Sequence, residues 1–125
     1  MSKRILIAGG SQSDRECFEE YLGVVNCEIE SVVDVEDILA RVKSFQPDLI
    51  LLNMKLSTGN GFELCRQLKQ DSRTRGIVIM AAMERNELSG LELVVAAGAD
   101  DFLTKPVDAI ELVKRVENLL KLASR

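Results

Sequence analysis

Apolar runs of strand length and apolar stripes of helical spacing take strict turns along this chain, and that alternation narrows the possible folds more than any other feature. Ile5-Leu6-Ile7-Ala8 is an unbroken run of residues that favour strands, and it stops at Gly9-Gly10-Ser11. Cys17, Phe18, Tyr21, Leu22 and Val25 then recur at helical spacing, with Ser11 or Ser13 available as a cap and Asp14 in the first turn. Residues 27–33 alternate only partly, as an edge strand with one wet side does. Asp34 caps a second stripe, Val35, Ile38, Leu39, Val42 and Phe45. Leu49-Ile50-Leu51-Leu52 is a second continuous apolar run, ending at Asn53. Residues 57–61 form a turn cluster that leads into a helix marked by Phe62, Cys65 and Leu68. A third apolar run covers 77–82, and a helix over roughly 87–97 ends near Gly98. Residues 101–104 read as a short strand. Pro106 and the capping box Asp108-Ala109-Ile110-Glu111 open a last helix carrying Ile110, Val113, Val116 and Leu120.

Five strand–helix repeats imply parallel strands with helices on both faces of one sheet. The most apolar runs belong at the centre and the weaker second and fifth strands at the edges. The expectation is therefore an α/β, flavodoxin-like doubly wound sheet of order 2-1-3-4-5 in three layers, with residues 1–125 as one domain. A length of 125 residues suits one hydrophobic core.

Charge and composition exclude several functions. The net charge of −4 and the lack of a Lys/Arg cluster argue against direct nucleic-acid binding. No stretch is long and apolar enough to span a membrane, and residues 5–8 are too short for a signal peptide. There is no histidine, and Cys17, Cys27 and Cys65 match neither zinc nor C-x-x-C spacing. All three read as small buried residues of a protein kept in a reducing cytosol.

In a doubly wound sheet ligands gather beyond the carboxyl ends of the strands, where the order reverses. Gly9 and Gly10, Asn53, Ala82 or Met83, and Lys105 fall there. Gly9-Gly10-Ser11 at a strand-to-helix turn suggests one use, an anion nest for a small ligand or nucleotide, although it lacks the full dinucleotide fingerprint.

A second use comes from resemblance. The segments at 3–7, 47–52 (PDLILL), 61–65 and 98–106 (GADDFLTKP) resemble the receiver domain of bacterial two-component response regulators over essentially the whole chain. That resemblance implies phosphoryl transfer to an aspartate, Mg²⁺ held by an acidic pair and the acceptor, a lysine on the phosphoryl oxygens, and a Ser/Thr hydroxyl ending the fourth strand. Here the acidic pair corresponds to Gly9 and Gly10, the acceptor to Asn53, and the hydroxyl to Met83 or, with a one-residue shift, Ala82. Only Lys105 and Pro106 remain, the latter with a cis peptide expected. Three carboxylates are thus replaced by neutral groups, too little charge for a Mg²⁺ site. The resemblance therefore implies a degenerate receiver with no metal, no cofactor and no catalysis. Lys105 then reads either as an anion contact or as a donor to the Asn53 side-chain oxygen.

Protein partners are the remaining expectation, with a homodimer as one form. Leu88, Leu91, Leu93, Val94, Val95, Ala96 and Ala97 cover more of the fourth helix than one core stripe. In receivers the helix 4–strand 5–helix 5 face carries signalling contacts, which implies roles for Leu91, Val94, Asp100, Asp101, Phe102, Glu111 and Arg115.

Overall fold

The computed structural model describes residues 2–56, 59–84 and 91–123. The elements are β1 (Lys3–Ala8), α1 (Gln12–Leu22), β2 (Cys27–Val32), α2 (Val35–Phe45), β3 (Leu49–Asn53), α3 (Gly61–Gln70), β4 (Val78–Glu84), α4 (Leu91–Ala96), β5 (Asp101–Lys105) and α5 (Ala109–Ala123). All strand pairs are parallel, and the order is β2-β1-β3-β4-β5. The flavodoxin-like sheet expected from the alternation is therefore present.

The period of two along the central strands sends alternate side chains to opposite faces. Ile5, Ile7, Leu49, Leu51, Met80 and Ala82 pack with Phe18 and Leu22 of α1 and with Leu112, Val116 and Leu120 of α5. Leu6, Ala8, Ile50, Leu52, Ile79, Ala81 and Met83 meet Ile38, Val42 and Phe45 of α2, Leu64, Cys65 and Leu68 of α3, and Val94 and Ala97 at α4. β3 is buried along its whole length, so each of its leucines and its isoleucine contributes roughly 2 kcal/mol of burial. β2, at the edge, buries only Val32 fully.

Several local expectations need correction. Ser11, not Ser13, caps α1, in a reciprocal capping box with Asp14. Asp34 stands at the start of α2 but its side chain makes no capping bond. Ile110 is 69% exposed, and Leu112 takes the core position instead, because two overlapping apolar stripes run along α5. Cys65 is buried, but Cys17 and Cys27 are only partly so. β4 runs on to Glu84, beyond the apolar run that announced it.

Candidate functional site

The carboxyl ends of β1, β3, β4 and β5 converge at one pole, and each delivers a side chain or a turn there. Gly9 and Gly10 turn the chain out of β1 with φ of +76° and +83°, left-handed values that only glycine adopts without strain. The Gly9 N–H donates to Val32 O at 2.8 Å, and the Ser11 N–H donates to Asp14 Oδ2 at 3.2 Å. The Gly10 carbonyl accepts from the Arg15 guanidinium. Two of the amides a nest would offer an anion are thus engaged within the chain, and a carboxylate already occupies the helix start.

Asn53 ends β3 with 1% of its surface exposed. Its Nδ2 donates to Ala8 O at 3.3 Å and Gly9 O at 3.1 Å, so the amide bridges β3 to the β1 turn. Its Oδ1 is buried and has no hydrogen-bond partner. A Cβ at Gly10 would come within 2.7 Å of Asn53 Nδ2 and 2.8 Å of its Cγ. A Cβ at Gly9 would come within 2.3 Å of Leu56 Cδ2. At this turn the chain packs an amide and an isobutyl group against bare backbone.

The described residues on either side of the loop that supplies Leu56 are drawn together. Lys55 and Asn60 form an isolated antiparallel bridge, and the Gly61 N–H donates to Met54 O at 3.2 Å. A Cβ at Gly61 would lie 2.5 Å from that same oxygen. Asn60 Oδ1 accepts from the Phe62 and Glu63 amides and so starts α3.

Ala82 lies directly across from Asn53 in the β3–β4 ladder, and Met54 N donates to Ala82 O at 3.0 Å. Met83, one residue on, points through the sheet into the α2/α3/α4 core, where Phe102 also packs. Neither supplies a hydroxyl. Met83 is a packing residue on the face opposite to Ala82.

Lys105 does not reach the Asn53 oxygen, as one reading of the sequence expected. Its Nζ lies 3.0 Å from Asp14 Oδ2 and 3.4 Å from Glu84 Oε1. Partial burial opposes ionisation of Asp14, but Lys105 and the Ser11 amide and hydroxyl outweigh it and hold the carboxyl below its ordinary range. Sequence reading missed both partners. Asp14 had been seen only as a helix-start charge, although α1 begins at the same switch point. Glu84 is the first charge after the β4 apolar run, and that was its only signal. The Lys105–Pro106 peptide is cis.

The expected interface residues divide. Val94 is 2% exposed and belongs to the core, whereas Leu93 and Val95 on either side of it are 52% and 68% exposed. Helical surplus showed that some apolar surface stays outside but not which residues carry it. The side chains of Leu91 and Leu88 lie outside the described residues. Asp100 is exposed but already engaged within the chain: its Oδ2 accepts from Ile79 N at 2.8 Å and from Lys69 Nζ at 2.9 Å. Arg115 is tied to Asp101 at 2.8 Å, Glu111 at 3.0 Å and Phe102 O at 3.1 Å.

The fold and the strand-end cluster define a doubly wound α/β domain with its site at the β1/β3 switch point. The chain belongs to the response regulator receiver domain family, whose profile matches residues 5–117. It is similar to the response regulator PleD of Caulobacter vibrioides, 35% identical over 125 residues, covering 97% of this chain and 27% of PleD. It is also similar to the DNA-binding dual master transcriptional regulator RpaA of Synechocystis sp., 31% identical over 122 residues, covering 98% of this chain and 51% of RpaA. The chain thus spans about a quarter to a half of these relatives. A crystal structure of a response regulator from Chloroflexus aurantiacus superposes with a TM-score of 0.91 at 26% identity, covering 97% of this chain and 99% of that one.

Proposed function

We propose that this receiver domain is degenerate at its phosphorylation site and signals by protein–protein contact, without covalent phosphorylation, bound Mg²⁺ or catalysis of its own. The observation that supports this most is the filling of the β1 turn. Leu56 occupies the space a side chain at position 9 needs, and Asn53 occupies the space one at position 10 needs. An amide whose nitrogen faces two carbonyls is not a nucleophile, and it offers a metal one neutral oxygen. No group of three or more His, Cys, Asp or Glu is placed to hold a metal among the described residues. The residues at this pole do not fit the family's Mg²⁺.

The contact surface in this reading is the α4–β5–α5 face. Leu93, Val95 and Ile110 give it exposed apolar area, and Asp101, Glu111 and Arg115 give it charge. Arg115 is already paired within the chain, so a partner or a second copy engages the apolar residues or exchanges those ion pairs. No helix among the described residues is long and apolar enough to cross a membrane, and we place the domain in the cytosol.

The test is incubation with acetyl phosphate and Mg²⁺, read by intact mass. An unchanged mass is expected, and a stoichiometric acid-labile adduct of one phosphoryl group overturns the reading. For the surface, Val95→Lys should change sedimentation or partner capture; an unchanged result for Val95→Lys and Ile110→Lys together removes this face from consideration.

A further inference from the structure

Lys105 ends β5 at the carboxyl pole, and the structure shows what holds its charge. Lys105 is 15% exposed at its side chain, and its ammonium touches carboxylates from two other elements, Asp14 of α1 and Glu84 of β4. Asp14 is itself fixed by the Ser11 amide and hydroxyl in the capping box, so the contact reaches back to the Gly9–Gly10 turn. Glu84 stands opposite Lys105 in the β4–β5 ladder. The two side chains therefore clamp the last rung of the sheet. Back along β5 from Lys105, Thr104 lies opposite Met83, Leu103 in the α1/α5 core and Phe102 on the α2/α3/α4 core.

We propose that Lys105 is a resident cation of this domain: held between Asp14 and Glu84, its ammonium joins α1, β4 and β5 and keeps the β5 face in a single conformation with no added ion or modification. This rests on the degenerate reading above. The physical argument is connectivity. A cation between two carboxylates on separate elements resists their separation, and partial burial keeps water and salt from screening it fully. The β4–β5 ends form an edge of the sheet with no strand beyond β5 among the described residues, so they open more readily than β3. A clamp at their carboxyl ends limits that opening where Phe102 and Arg115 report to the surface.

The experiment is amide hydrogen exchange and a backbone NMR spectrum on the whole chain, for wild type, Lys105→Met, Glu84→Gln and Asp14→Asn. Arg4→Met, which removes the Arg4–Glu28 pair at the other pole, is the control. Lys105→Met is expected to raise exchange at Phe102, Leu103 and Thr104 about tenfold, with Glu84→Gln and Asp14→Asn each giving a smaller rise at the same amides and Arg4→Met none. Unchanged exchange there in Lys105→Met, or an equal rise from Arg4→Met, overturns the clamp. If Lys105→Met does not fold, Glu84→Gln decides, because Glu84 is half exposed. A separate arm adds 10 mM MgCl₂ and acetyl phosphate at about 10 mM, well above micromolar-to-millimolar affinities, to wild type. Shifts at Asn53 and Lys105 there would defeat the degenerate reading; their absence with an unchanged Lys105→Met would defeat the clamp alone.

Discussion

Lys69 and Lys105 sit at opposite poles of the same sheet, with side-chain exposures of 18% and 15%, and they are used differently. At the amino ends of β4 and β5, Lys69 donates to Arg75 O, Ile77 O and Asp100 Oδ2, each about 3 Å away. Asp100 in turn accepts the Ile79 amide, so every strong group in that knot has a partner. At the carboxyl ends, Lys105 is drawn aside to Asp14 and Glu84, and the centre of the pole is filled by neutral groups: Asn53, Leu56 and two glycines. One pole is built around a charge network at the sheet's margin that also ties down backbone carbonyls. The other is built by shape, with its charge moved to the rim and one oxygen, Asn53 Oδ1, left without a donor. Unsatisfied groups of that kind are uncommon in folded proteins and mark places where a site has been kept or altered for reasons other than stability.

The sharpest way to break this contrast is Asn53→Asp. An ionised carboxylate has no proton for Ala8 O and Gly9 O and would face both carbonyls in a buried place. We expect a loss of about 3 kcal/mol at pH 7 in urea unfolding, and no gained phosphorylation. A variant as stable as wild type means that neutrality at this pole is incidental.

Gly10→Ala comes next. Its φ of +83° and the 2.7 Å approach to Asn53 Nδ2 should together cost about 2.5 kcal/mol. Combining it with Asn53→Ala should cost less than the sum, since the group it strikes has gone; strict additivity would show that backbone strain alone is responsible.

Lys69→Met should cost about 2 kcal/mol by taking a donor from Asp100 and from two backbone carbonyls, against about 1 kcal/mol for Lys105→Met, which takes a donor from two carboxylates and no carbonyl. The reverse ranking of urea midpoints would invert the comparison.

The smallest effect is a pH dependence. Asp14 has a lowered pKa in the folded chain, so its contribution is present above the unfolded value of 3.8 and is lost as pH falls through the folded value. The stability gap between wild type and Asp14→Asn should be constant near neutrality and should close only in acid below about pH 4. A gap that persists at pH 2 assigns the loss to the capping box and not to the charge.

How much of this the sequence disclosed depends on how local each feature is. The strands were legible because β1, β3 and β4 are nearly pure apolar runs. Gly9, Gly10 and Asn53 were legible because each stands where such a run stops. The partners of those residues were not. Lys105 and Asp14 are 91 positions apart, and nothing along the chain joins them until the fold puts α1 and β5 on one shared core. The fourth strand runs on to Glu84, past the apolar run that marks it, so Ala82 and Met83 both read as its end and which of them faces the site could not be assigned. On α5, Ile110 and Leu112 belong to competing stripes of equal quality. Only the seating of the helix on Met80 and Leu103 decides that Leu112 goes in. Leu56 left no signal at all, because an apolar residue in a turn cluster acquires meaning only from the glycine beneath it.

Leu56 has a consequence in time as well as in space. A Cβ at position 9 would stand 2.3 Å from Leu56 Cδ2, so a side chain there is accommodated only as the leucine swings aside and the left-handed turn relaxes, two motions on different clocks. Asn53 sets the same coupling at position 10. Rebuilding this turn is therefore a paired problem, in which positions 9 and 56, or 10 and 53, are changed together.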